Sequence, residues 1–199
     1  AYQHLSLVDM LGNQYLFETE ADEQGKVAIS SMQLSSQIGE AVLVDLSRHV
    51  LKAETGLSQK LMSEDVDHVK GARSADTIFG NQNENWIHGG AGFDNLHGYD
   101  GDDVLIGGMD GGRLEGGNGR DVYLVEGNES RLVIDTTSTD EVRDTIRFTN
   151  GFEQLEYAKS ADNLKFRYFD TDVEVTNLSR EVESAFGISV INQNNHQEG

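Results

Sequence analysis

The sequence predicts an all-β protein. A solenoid of short parallel strands, residues 71–124, lies between two β-rich caps, residues 1–70 and 125–199. Two observations predict it. Residues 71–124 repeat every nine positions as GARSADTIF, GNQNENWIH, GGAGFDNLH, GYDGDDVLI, GGMDGGRLE and GGNGRDVYL. The flanks leave that period and alternate apolar and polar residues in short runs, as strands with one buried face do.

In the N-terminal flank, Leu5 and Leu7 and then Tyr15 and Phe17 alternate about Gly12-Asn13, a hairpin signal. KVAISSMQL (26–34) and AVLVDL (41–46) read as further strands. Leu46, Val50, Leu57 and Leu61 have helical spacing interrupted by Gly56, so 47–61 is ambiguous and leaves room for one helix. Residues 66–70 are an extended lead into the repeats.

Each repeat opens on glycine: Gly71, Gly80, Gly89, Gly98, Gly107 and Gly116. The sixth column holds Asp76, Asn85, Asp94, Asp103, Gly112 and Asp121, and the eighth holds Ile78, Ile87, Leu96, Leu105, Leu114 and Tyr123. Columns one to six suit a turn, because glycine tolerates positive φ and close backbone approach. Columns seven to nine make a very short strand whose lone apolar residue points inward. One such unit buries almost nothing, whereas stacked units bury a continuous column. Stacking also superimposes the sixth-column acids, which repel unless a cation lies between them. Calcium takes six to eight oxygen ligands, from carboxylates and carbonyls.

These lines resemble the nonapeptide GGxGxDxUx of the RTX (repeats-in-toxin) family, a calcium-binding repeat. The third, fourth and sixth lines fit well; the first, second and fifth are degenerate. The resemblance covers 54 residues and implies a right-handed parallel β-roll in which two nonads make one coil. Turns on one side then start at Gly71, Gly89 and Gly107, and on the other at Gly80, Gly98 and Gly116. The gaps pair Asp103 with Asp121, Asp76 with Asp94, Asn85 with Asp103, and Asp94 with the 107–112 turn. In the last gap Gly112 replaces the acid and Asp110 is the substitute. The resemblance also implies that carbonyls of columns one and three complete the shells: Gly89, Ala91, Gly98, Asp100, Gly107, Gly116 and Asn118.

Beyond the repeats, RLVIDT (131–136), DTIRF (144–148), QLEYA (154–158), NLKFRYF (163–169), VEVTNL (173–178) and ISVIN (188–192) read as strands. Gly127-Asn128, Asn150-Gly151 and Asp162-Asn163 punctuate them. A cap is needed here, since an open solenoid end exposes core and unpaired backbone. The polar tail NQNNHQEG reads as disordered.

Composition narrows the function. The 199-residue chain has a net charge of −20, which argues against nucleic acid as a partner. No apolar run reaches the ~18 residues of a membrane span. Cysteine and proline are both absent. Metal rather than disulfide is therefore the expected staple, and no slow prolyl step delays folding after export. The chain starts at Ala1 without a signal peptide and reads as a fragment of a larger protein.

Other candidate residues weigh less. His88 and His97 share column nine but belong to opposite sheets, and no third His stands near to make zinc. Trp86, in column seven, points outward, as a partner surface or a contact with a flanking cap. Asp135, Asp140, Glu141 and Asp144 lack a pocket or a nucleophile pattern and read as a solvated loop. No HExxH or GxSxG occurs, and without proline no Asp-Pro bond exists for self-cleavage. The leading expectation is a non-enzymatic, monomeric, calcium-dependent folding module of a toxin or adhesin, secreted by a Gram-negative bacterium through type I machinery. The alternatives are a module binding a host receptor or glycan, and a non-catalytic accessory module of a secreted enzyme.

Overall fold

The structure is a computed structural model. It describes residues 3–8, 14–21, 27–34, 38–53, 58–60, 66–140, 142, 144–149, 155–160, 163–177 and 188–192; for strands 3–8, 14–21, 27–31, 58–60, 155–160 and 188–192 only the backbone is described. Gly12-Asn13, Gly56-Leu57, Glu141, Asn150-Gly151, Asp162 and the tail 193–199 lie outside the described residues.

Two sheets face each other, and the chain alternates between them. One sheet contains β1 (Gln3–Val8), β2 (Gln14–Ala21), β3 (Val27–Leu34), β7 (His68–Lys70), β9 (Trp86–His88), β11 (Val104–Ile106), β13 (Val122–Val125), β15 (Asp144–Phe148) and β19 (Ile188–Asn192), in that spatial order. We call it the first sheet. The second runs β16 (Leu155–Ser160), β17 (Asn163–Tyr168), β18 (Thr171–Thr176), β14 (Arg131–Asp135), β12 (Gly111–Asn118), β10 (Asp94–Asp100), β8 (Thr77–Phe79), β4 (Val42–Asp45), β5 (Val50–Ala53) and β6 (Ser58–Lys60). From β3 to β19 and from β4 to β18 the neighbours are parallel. This is the parallel β-roll that the nonads predict.

The register follows the period. Ile78 pairs with Leu96 and Leu96 with Leu114 in the second sheet; Ile87 pairs with Leu105 and Leu105 with Tyr123 in the first. Each step is eighteen residues, two nonads. All six of these column-eight side chains are fully buried, with 0% of their surface exposed. The column outlasts the repeat, through Val44 and Val69 at one end and Ile134, Ile146 and Val175 at the other.

Three expectations need correction. The stretch from Leu46 is not helical: among the described residues there is no helix. His49, at φ 55, turns the chain into β5, antiparallel to β4, so that Leu51 and Ala53 face the core with period two. The extended lead at 66–70 is itself a rung, since β7 pairs in parallel with β3 and β9. Finally, β10 and β12 exceed the expected very short strand, because pairing runs through Tyr99↔Gly117 and Asp100↔Asn118 into the turn.

Antiparallel hairpins close the roll. β1 and β2 extend the first sheet beyond β3, β5 and β6 extend the second beyond β4, and β17 and β16 extend it beyond β18. Below the last repeats Phe148 packs against Tyr168 (4.7 Å between ring centroids) and Phe166 (5.9 Å), filling the end of the core. No helix among the described residues is long and apolar enough to cross a membrane.

Candidate metal centre

The sixth-column side chains form two ladders, one on each side of the roll. Each carboxylate uses Oδ1 to accept a backbone N–H one coil back. Asp94 accepts from Asp76 N at 2.7 Å, Asp103 from Asn85 N at 2.7 Å, and Asp121 from Asp103 N at 2.9 Å. The turn thus aims these acids inward, and all three are at most 1% exposed.

The second oxygens are different. Oδ2 of Asp94, of Asp103 and of Asp121 is buried without a hydrogen-bond partner. A buried, unpaired carboxylate oxygen costs several kcal/mol unless a cation or proton meets it. Each faces the opening glycine of its own turn, and a Cβ at Gly89, Gly98 or Gly116 would collide with it. A carbonyl from the next coil closes two of these spaces: Gly107 O lies 2.5 Å from the Cβ position of Gly89, and Gly116 O lies 2.6 Å from that of Gly98. Glycine is therefore required here for space.

Electrostatics agree with that geometry. Burial pushes the carboxyls of Asp94 and Asp103 up to about 8, and those of Asp76 and Asp121 up to about 6. Repulsion from Asp76 and Asp110 adds to the effect at Asp94, and repulsion from Asp121, Asp102 and Glu84 adds to it at Asp103. Among the described residues no three His, Asp or Glu side chains converge as a metal cluster. A cation here would be held by single carboxylates and backbone carbonyls. That all-oxygen donor set fits calcium and not zinc.

The other expected ligands sit as follows. Both oxygens of Asp76 are engaged, Oδ1 by Val42 N at 2.8 Å and Oδ2 by Ala72 N at 2.6 Å. Asn85 accepts from Asn81 N at 2.8 Å. The exposed Asp110 accepts from Gly92 N at 2.9 Å through Oδ2. The side chain of Asp100 accepts from Asn118 Nδ2 at 2.8 Å. Ala91 donates to Ala72 O at 3.1 Å. The carbonyls of Gly89, Gly98, Gly107 and Gly116 each point at the opening glycine one coil back.

Asp144 is not the solvated loop residue that the sequence suggests. It is 5% exposed, its Oδ1 accepts from Asp121 N at 3.0 Å, and it continues the ladder after a step of 23 residues. The longer step hides it from a nine-residue template. Tyr123 fills the space beside it, accepting from Gly116 N at 3.0 Å, with its hydroxyl 3.4 Å from Asp144 Oδ2. Asp135 is buried too, at 5% exposure, and pairs with Arg113. Another missed acid is Glu129, 1% exposed, which gathers the N–H groups of Glu126, Gly127 and Asn128 and the Thr171 hydroxyl. It holds the chain between β13 and β14.

His88 and His97 are on opposite sheets, as expected. His88 accepts from Gly90 N at 3.0 Å, and burial holds its imidazole down to about 4, so it stays neutral. Trp86 lies half-buried on the outer face of the first sheet between His68 and His88, 6.3 and 5.9 Å away. Its ring contacts are therefore with its own and the preceding rung.

A parallel β-roll with one carboxylate and one carbonyl converging in the gaps between coils is a calcium-binding β-roll. Two overlapping segments, 63–96 and 79–114, match the family model described as RTX calcium-binding nonapeptide repeat (4 copies). This block is thus made of RTX repeats, and RTX repeats bind calcium. Among solved structures, the crystal structure of extracellular lipase LipA from Serratia marcescens is similar at a TM-score of 0.46 and 15% identity, over 96% of this chain and 31% of that one. The chain therefore spans less than a third of that protein's length. A comparison with curated protein sequences finds no match.

Proposed function

We propose that the chain is a non-catalytic, calcium-dependent folding module of a secreted RTX protein, exported through type I machinery by a Gram-negative bacterium. The three unpartnered, buried Oδ2 atoms of Asp94, Asp103 and Asp121 carry this reading. Asp94 with the Gly107 carbonyl would hold calcium on one side of the roll, and Asp103 with the Gly116 carbonyl, followed by Asp121, on the other. Bound calcium supplies the positive charge that lets these carboxylates stay ionised inside the fold. Before export calcium is scarce and the stacked acids oppose folding; outside, binding and folding become one event.

Chelation tests this. Circular dichroism in calcium should show β structure and near-ultraviolet bands that EGTA abolishes for at least residues 66–130. The fluorescence of Trp86, the chain's one tryptophan, should report the same transition, because its ring lies among the rungs. Unchanged spectra in EGTA would refute the proposal.

A further inference from the structure

A groove of about 930 Å³ runs along the side on which the chain leaves the second sheet. It crosses five successive turns, from Ser47 and His49 past Asn81–Asn83, Tyr99–Asp100 and Gly116–Asn118 to Thr137–Thr139. Rungs lie about 4.8 Å apart, so five turns make a trough about 19 Å long. That is the shape of a site for a chain molecule.

An aromatic step is built into it. Phe79 stacks on His97 (4.9 Å, 22° between planes) and on Tyr99 (6.0 Å, 16°), and His97 and Tyr99 line the groove. Tyr99 departs from the neighbouring nonads, although the first two also lack glycine here, with Ala72 and Asn81. In the last four nonads the second column is Gly90, Tyr99, Gly108 and Gly117, with φ of 107, 83, 87 and 108°. A tyrosine held in that region costs about 1 kcal/mol or more relative to glycine. Burial does not recover it, since Tyr99 is 46% exposed. Its partner in the next rung is Gly117, which has no side chain to cover the ring.

Apart from Leu46, Gly116 and Gly117, the rest of the lining is polar. Gln82 and Asn83 offer side-chain amides that both donate and accept; Asn81 Oδ1 already accepts from Asn83 N at 2.8 Å and keeps its amide N–H groups, and the Thr137 and Thr139 hydroxyls donate to Asp135 and Asn118 and remain as acceptors. Among the described residues no Lys or Arg lines the groove, whereas Asp100 and Glu115 do.

We propose that this groove binds an extended, uncharged oligosaccharide, with Tyr99 as the stacking platform and the flanking amides and hydroxyls recognising sugar hydroxyls. A sugar ring has a flat C–H face suited to an aromatic surface and a polar rim suited to Asn, Gln and Thr. The acidic lining disfavours phosphate, sulfate and uronate groups. An added peptide strand would need an open sheet edge, and here the lining is turns and strand backbone already paired between β10 and β12. The inference goes beyond the calcium reading. Two walls are the 98–103 and 116–121 turns, so the calcium-saturated protein is the one to test.

Tyr99→Gly gives the position the residue found at Gly90, Gly108 and Gly117, which share its positive φ, and so removes the platform without burdening the turn. The calcium-saturated protein is first applied to an array of neutral and acidic glycans. The best neutral binder is then titrated calorimetrically, beside a heparin tetrasaccharide. We expect a neutral, linear glycan to bind, Tyr99→Gly to weaken it about tenfold or more, as loss of a stacked ring should, and the calcium midpoint by circular dichroism to stay within about twofold. Gln82→Ala, on an exposed turn, should weaken the same glycan about threefold for one lost hydrogen bond, and it decides the matter if Tyr99→Gly does not fold. The inference is overturned if the folded protein binds no neutral glycan, if heparin binds in preference, or if Tyr99→Gly binds like the parent. Because folding is read separately, failure here is distinct from failure of the calcium reading.

Discussion

Replacing Asp103 with asparagine separates the two roles of that side chain. Its Oδ1 accepts from Asn85 N at 2.7 Å, and its Oδ2 is buried with no partner. Asparagine keeps the first contact, removes the charge, and puts an amide nitrogen beside the Gly116 carbonyl. Without calcium, burial pushes the Asp103 carboxyl up to about 8, so near neutral pH the parent bears the cost of an acid in the wrong surroundings. The metal-free variant should therefore be more stable than the metal-free parent. With calcium the sign reverses. Extracellular calcium modules bind at about 10⁻⁴ to 10⁻³ M, and one site lost at ten times its Kd forfeits ~1.4 kcal/mol. Asp103→Ala should be worse by ~1–3 kcal/mol, because Asn85 N–H is then buried without an acceptor. Two readings of Trp86 fluorescence measure both arms: urea unfolding in saturating calcium, and, in EGTA, the pH at which the acid-folded chain unfolds as pH rises. A variant less stable than the parent in both conditions, or unchanged in both, would refute the role given to Oδ2. Glu115→Ala is the control. That side chain pairs with His97 at 3.2 Å on the outer face, so about 1 kcal/mol at most is at stake and the calcium midpoint should hold.

Acidification should fold the calcium-free chain. Asp94 and Asp103 titrate near 8, Asp144 near 7, and Asp76 and Asp121 near 6 in the folded state, against an ordinary 3.8. The folded state thus binds more protons, and stability falls as pH rises from about 4 to about 8; more β signal in EGTA at pH ~8 than at pH ~5 would contradict this. Gly98→Ala should raise the calcium midpoint about tenfold or more, since its Cβ takes the space beside Asp103 Oδ2, and a calcium titration by circular dichroism reads the shift. Tyr123→Phe should cost ~1–2 kcal/mol in calcium, because Gly116 N loses its acceptor; an unchanged urea midpoint would show that this hydroxyl does not matter.

The repeat made most of the roll legible. A period of nine with one apolar position fixes which side chain enters the core, and eighteen-residue pairing then fixes the register, as Ile78, Leu96 and Leu114 show. The buried, stacked placement of the sixth-column acids could be read for the same reason. What stayed hidden lacks a period. Asp144 sits 23 residues after Asp121, a longer step than the eighteen of two nonads, so a nine-residue template passes over it. Leu46, Val50, Leu57 and Leu61 left room for a helix; of these, Leu46 and Val50 lie at the β4–β5 hairpin, where they happen to fall at helical spacing. Tyr99 carried a signal, an aromatic in a glycine column, but its meaning needed the groove beside it. The choice of which carboxylate oxygens remain free was beyond reach too. It depends on the local turn, since the second oxygen of Asp76 accepts from Ala72 N within its own turn while those of Asp94, Asp103 and Asp121 meet no donor.

The most direct test is a crystal structure grown in calcium. The account predicts ions within about 2.3–2.6 Å of Oδ2 of Asp94, Asp103 and Asp121, on both sides of the roll. Water or empty space beside all three oxygens, with the fold intact, would contradict it.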